Sequence, residues 1–181
     1  FSSSVGDNAF NPISSHISFF DSLFKLLSEL DQNYFFLIKV KNLDLKFSNL
    51  NKSFNSKLFK NLEKENKILL IDDSVKSQEL INISNGVVSM AFTSPTFEAL
   101  SSKIPAIFYD PCHIAKGNYI ENIQGLYITE ETKAKIFIKN LEANKQLNKW
   151  VSKVRKKIGL ENANLGIEKI KNDLAVFLKN N

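Results

Sequence analysis

The chain has 181 residues, 43% of them apolar and 24% charged, with a formal net charge of +5. That length suits one domain, or one domain with appended helices, and the apolar fraction is enough for a packed core. No run approaches the ~18 consecutive apolar residues of a membrane span, and the single cysteine, Cys112, excludes an internal disulfide and fits a reducing, cytoplasmic setting.

In chain order, residues 1–12 read as the end of a strand followed by a loop, in which Ser2, Ser3, Ser4 and Gly6 form a candidate phosphate-facing turn. A helix follows over about 14–30. Ile13, Ile17, Phe20, Phe24 and Leu27 recur at steps of four and three, and Leu23 and Leu30 widen the stripe. Tyr34 to Ile38 is an unbroken apolar run, the pattern of a strand covered on both faces. It ends in Lys39-Val40-Lys41, where two lysines lie two residues apart and share a face if the strand continues.

Residues 42–53 are polar and asparagine-rich, a surface loop, and Phe54, Leu58 and Leu62 mark a short helix. Lys67 to Ile71 is the next strand, closing on Asp72-Asp73-Ser74. No third carboxylate sits at motif spacing from Asp72 and Asp73, so no metal is expected there. Ser77 to Ser84 form a short helix, and Asn85-Gly86 offers a left-handed stop.

Residues 87–111 hold the densest pattern. Val87, Val88, Met90 and Phe92 make a strand, and Thr93, Ser94 and Thr96 crowd its exit into a helix. Pro95 suits the first turn of that helix, where its missing N–H costs nothing. Glu98 lies about one turn in, and Ala106 to Tyr109 make the next strand. A helix N-terminus offers free N–H groups and the positive end of a dipole, so hydroxyls gathered there at the carboxyl edge of a parallel sheet mark an anion site.

Phe92-Thr93-Ser94, Glu98 and the Pro105 to Pro111 run, with a looser likeness from about Asp7 to Tyr127, resemble the C-terminal nucleotide-binding domain of GT-B fold glycosyltransferases of bacterial surface-polysaccharide synthesis. The resemblance implies a sugar nucleotide as donor substrate, with no other cofactor, and a glycan or lipid-linked acceptor. It implies that Thr93, Ser94 and Thr96, with Lys39 and Lys41, contact the phosphates. Glu98 would hold the ribose, Asp72 to Val75 would lie beside the base, and His113 and Lys116 would face sugar or acceptor. It also implies that a first domain, with the catalytic base, precedes this chain, which begins Phe-Ser-Ser-Ser without methionine. The glycine-rich turn of sugar-nucleotide 2-epimerases and the Asp-Tyr-Ser-Ser turn of glycerol-phosphate polymer transferases are not matched. These mismatches count against the two enzyme classes, which stay as alternatives together with a non-catalytic scaffold domain.

Past the Cys112 to Tyr119 loop and a last strand at Leu126 to Ile128, the chain turns helical. Ala143, Leu147, Trp150, Val154 and Ile158 keep helical spacing up to Gly159, and Ile167, Ile170, Leu174 and Phe177 continue in a final helix. The expected organisation is a donor-binding domain over 1–132 with helices of 133–181 packed on it. Strands alternating with helices predict a Rossmann-like three-layer α/β sandwich with a mostly parallel sheet of about five or six strands. No Gly-x-Gly-x-x-Gly and no Gly-x-x-x-x-Gly-Lys motif is present, so ligand contact would use hydroxyls and helix termini. Residues 133–181 hold 12 Lys or Arg against 4 Asp or Glu, a net of +8, and the remainder carries 12 against 15, a net of −3. Arg155 is the only arginine, which argues against nucleic acid. A solvated helix face is the plain reading of this basic end, with peripheral contact at the inner face of the plasma membrane ranked next.

Overall fold

The computed structural model describes residues 13–39, 56–91, 93–115, 117, 119–141 and 145–162. The Ser2 to Gly6 turn, Lys41, Phe92, Lys116 and the final helix expected after residue 163 lie outside the described residues.

Six α-helices and five strands alternate among the described residues: α1 (Ile13–Ser28), β1 (Phe36–Lys39), α2 (Ser56–Lys64), β2 (Ile68–Ile71), α3 (Ser77–Ile83), β3 (Val87–Ser89), α4 (Ser94–Ser101), β4 (Ala106–Tyr109), β5 (Tyr127–Ile128), α5 (Glu131–Asn140) and α6 (Lys145–Lys157). Short 3-10 turns at Tyr119–Asn122 and Leu160–Asn162 precede β5 and follow α6. Every strand pair is parallel, as the alternating order requires. The single sheet of five or six strands expected from the sequence is instead two smaller ones among the described residues, β1-β2 and β3-β4-β5.

β4 sets the layering. Ile107 and Tyr109 point to one side and Ala106 and Phe108 to the other, and all four are buried. Ile107 and Tyr109 join a core built from α1, α2 and α5, with Phe24, Leu27, Leu62 and Ile138 nearly inaccessible. Phe108 and Ala106 join a second core built from α3, α4 and α6, through Ile81, Ala99, Leu100, Val151 and Val154. Each fully buried Leu or Phe is worth ~1.5–3 kcal/mol against exposure, so this three-layer arrangement is where the stability lies. The β1–β2 pair is covered less completely. Ile38 and Ile68 belong to the first core, but on the opposite face Phe35 is 55% and Leu69 49% exposed. The double coverage expected for the Tyr34 to Ile38 run therefore fails on one side, because α3, α4 and α6 pack behind β3–β5.

The Asn85-Gly86 stop falls earlier than expected: α3 ends at Ile83, and the Ser84 hydroxyl turns back onto the Leu80 carbonyl at 2.6 Å. Gly159 does serve as a stop after α6, at φ +77. No helix among the described residues is long and apolar enough to cross a membrane.

Candidate functional site

The expected site residues fall into two groups, each at the carboxyl ends of parallel strands. The first follows β3 and β4. Thr93 is the N-cap residue of α4, with the extended backbone that position requires, yet its side chain makes no cap bond. Its hydroxyl turns back to the Met90 carbonyl at 2.7 Å and the Ser89 hydroxyl at 3.0 Å. Ser89 in turn lies 2.6 Å from the Thr96 hydroxyl, and Thr96 donates to the Ile107 carbonyl at 3.0 Å. The three hydroxyls thus form a chain from the turn, through β3 and α4, into β4. Each can donate one proton and accept another, so the chain is self-consistent and polarises along its length.

Thr96, expected to touch phosphate, is instead 0% exposed and spent inside this chain. Thr93 is half-buried with its hydroxyl engaged, and Ser94 alone of the three is exposed. The consequence is an α4 N-terminus that no side chain among the described residues caps, since the residue placed to do so is turned away. Pro95 removes one orphan donor, Thr96 is buried, and the N–H of exposed Ser94 remains at the positive end of the helix. Glu98 is four residues after Ser94 and therefore on the same helix face. It is half-buried, and its carboxylate has no partner among the described residues.

His113 sits in the loop after β4, exposed, at φ 57 in the left-handed region. Asp110 shapes that loop. Its carboxylate is 2% exposed and accepts from the Ala115 N–H at 2.9 Å and the Tyr127 hydroxyl at 2.7 Å, while its carbonyl accepts from the His113 N–H at 3.2 Å. Burial first, then the bond to Asp110 and repulsion by it, push the Tyr127 phenol well above its ordinary range. The phenol therefore stays protonated and keeps donating. Tyr109, at the end of β4, is likewise raised by burial and is bonded to the Ser22 hydroxyl of α1.

The second group follows β1 and β2. The Lys39 ammonium, expected on phosphate, donates to the carbonyls of Asp72 at 3.5 Å, Asp73 at 3.1 Å and Val75. It clasps the loop expected beside the base. The Asp72 carboxylate accepts from the Ser74 N–H at 2.8 Å, closing a side-chain turn. The hydroxyl and then the N–H of Ser74 hold Asp72 below its ordinary range. No cluster of three or more His, Cys, Asp or Glu able to hold a metal ion occurs among the described residues.

Two structural partners escaped the sequence reading. Ser89 was visible as one hydroxyl inside an apolar strand, and Asp110 as a carboxylate closing a fully apolar one. Either signal points to a buried polar contact.

Parallel strands and crossover helices define an α/β domain of the Rossmann-like class. The family described as "Polysaccharide biosynthesis PFTS motif protein" matches residues 5–136, and the chain belongs to that family. The motif in that description, read as residues, is met by Ala91-Phe92-Thr93-Ser94, with alanine in the first place. Of these residues, Thr93 begins the hydroxyl chain. No curated protein and no solved structure matches this chain.

Proposed function

We propose that this chain is the donor-binding domain of a GT-B type glycosyltransferase, which holds a sugar nucleotide for transfer to an acceptor hydroxyl in polysaccharide synthesis. The observation that carries the reading is the uncapped α4 N-terminus with Ser94 and Glu98 on one face. A diphosphate accepts from the Ser94 N–H and hydroxyl, and Glu98 accepts from ribose hydroxyls one turn further on. The hydroxyl chain through Ser89 and Thr96 positions the turn and touches no ligand. Lys39 acts through the loop after β2, setting the carbonyls and N–H groups that face a base. Donors fixed around the leaving diphosphate offset the charge that develops as the glycosidic bond breaks. Family membership supports the pathway and the parallel α/β order supports the domain type.

Isothermal titration with UDP, CMP, GDP and CDP tests this. One nucleotide should bind, and Glu98→Ala should weaken it by about tenfold or more, the cost of losing a hydrogen bond to a charged group. A folded protein that binds none of the four would overturn the proposal.

A further inference from the structure

Helix α6 carries six basic residues and no acidic one. Its inward side is apolar: Val151 and Val154 are buried in the second core. Arg155 also turns inward, donating to the carbonyls of Leu100 and Ser101 at the C-terminal end of α4, the latter at 2.7 Å. Lys149, Lys153, Lys156 and Lys157 are all exposed. Their spacing of four, three and one places them along one side of the helix. None has an ion-pair partner among the described residues. On α1 and α5, by contrast, Lys25, Lys133 and Lys135 each meet a glutamate at 3.2, 2.6 and 2.9 Å.

The row cannot roll away. The Trp150 indole donates to the Gln124 carbonyl at 3.2 Å, and Gly125 approaches so closely that a Cβ there would lie 2.8 Å from the indole nitrogen. Four lysines with no ion-pair partner among the described residues are thus held over nine residues, about 12 Å of helix. Successive lysines rise by at most about 6 Å along the axis, within the Debye length of about 8 Å at physiological salt, so their fields add.

We propose that this face of α6 docks on an anionic bilayer surface. A protruding row of like charges on a fixed helix complements a plane of acidic headgroups. A polyanionic glycan being acted on would need to reach the donor. The lysine row lies by the opposite end of the domain: Arg155 holds the C-terminal end of α4, whose N-terminus is the candidate site, and Gln124 precedes β5.

The 181-residue chain, sedimented at low salt with vesicles of equal parts phosphatidylcholine and phosphatidylglycerol, should bind, and vesicles of phosphatidylcholine alone should not hold it. Each lysine near such a surface is worth roughly fivefold in affinity. Lys149→Glu/Lys153→Glu/Lys156→Glu should therefore lower binding by more than about tenfold. Lys57→Glu/Lys60→Glu/Lys64→Glu on α2 makes the same change in net charge and should lower it far less. Circular dichroism checks that both variants fold, and the glutamine versions of the same triples replace any that does not. Absence of binding to the mixed vesicles, equal loss in the two triples, or α6-dependent retention on an anionic polysaccharide resin without vesicle binding would each overturn the proposal.

Discussion

The two halves of the domain use the same supersecondary unit and reach different degrees of closure. In β3–β5, helices cover both faces, β4 is buried along its whole length, and polar groups at the strand ends are tied into Ser89–Thr96 and Asp110–Tyr127 contacts. In β1–β2 one face packs on α1 and α2 and the other leaves Phe35 and Leu69 about half exposed. There the strand-end loop is held mainly by one ammonium. The difference separates two ways to position a ligand: a closed framework that keeps a helix end in place, and a clasped loop that can yield without disturbing the core.

The sharpest test of that contrast is a pair of truncations. Phe108 is fully buried between α4 and the neighbouring strands and stacks edge-on with Phe97 at 5.2 Å. Phe108→Ala should cost about 3–5 kcal/mol, the range for an aromatic removed from a packed core. Leu69→Ala should cost about 1 kcal/mol or less, because half the side chain already meets water. Urea unfolding midpoints measure both. Comparable losses would mean that something covers the open face of β1–β2 in solution.

A smaller effect separates framework hydroxyls from the exposed one proposed to face a ligand. Thr96→Val preserves shape but removes the bonds to the Ile107 carbonyl and the Ser89 hydroxyl, a loss of about 1–3 kcal/mol. Ser94→Ala, at an exposed position, should change stability by no more than about 0.5 kcal/mol. Unfolding titrations of the two variants should therefore diverge even though both delete one hydroxyl from the same turn. Equal stability losses would remove the distinction on which the roles of Ser94 and Thr96 rest.

Much of the framework was legible because burial and period are local signals. The stripe from Ile17 to Leu27 is a helix, and Ala106 to Tyr109, an unbroken apolar run, is a strand covered on both faces. Tyr34 to Ile38 reads the same way and is covered differently, since coverage depends on where other helices pack. The polar side chains were harder for the same reason. Composition places Thr93, Ser94 and Thr96 together at a helix start, but the choice between ligand and framework is made by Ile107, eleven residues past Thr96. Lys39 looked free for a phosphate until the fold brought the Asp72 to Val75 carbonyls to it from more than thirty residues away.

That clasp gives the finest test, because its effect should stay local. Lys39 is half-buried, so Lys39→Met should cost about 1 kcal/mol or less in global stability. Its three acceptors lie in one loop, and without the ammonium that loop loses its tie to β1 while keeping the Asp72–Ser74 turn and the Val75 N–H bond to the Asp72 carbonyl at 3.2 Å. Amide hydrogen exchange should then speed up at Ser74 and Val75, and the amides of Phe108 and Asp110, which pair with β5 at 2.8 Å, should keep their protection. Unchanged exchange at Ser74 and Val75 would mean that the side-chain turn suffices and Lys39 is free to serve a ligand. Acceleration at Phe108 as well would mean that the two halves open as one unit, so that the loop after β2 could not adjust to the proposed nucleotide without cost to the helix end proposed to hold its phosphates.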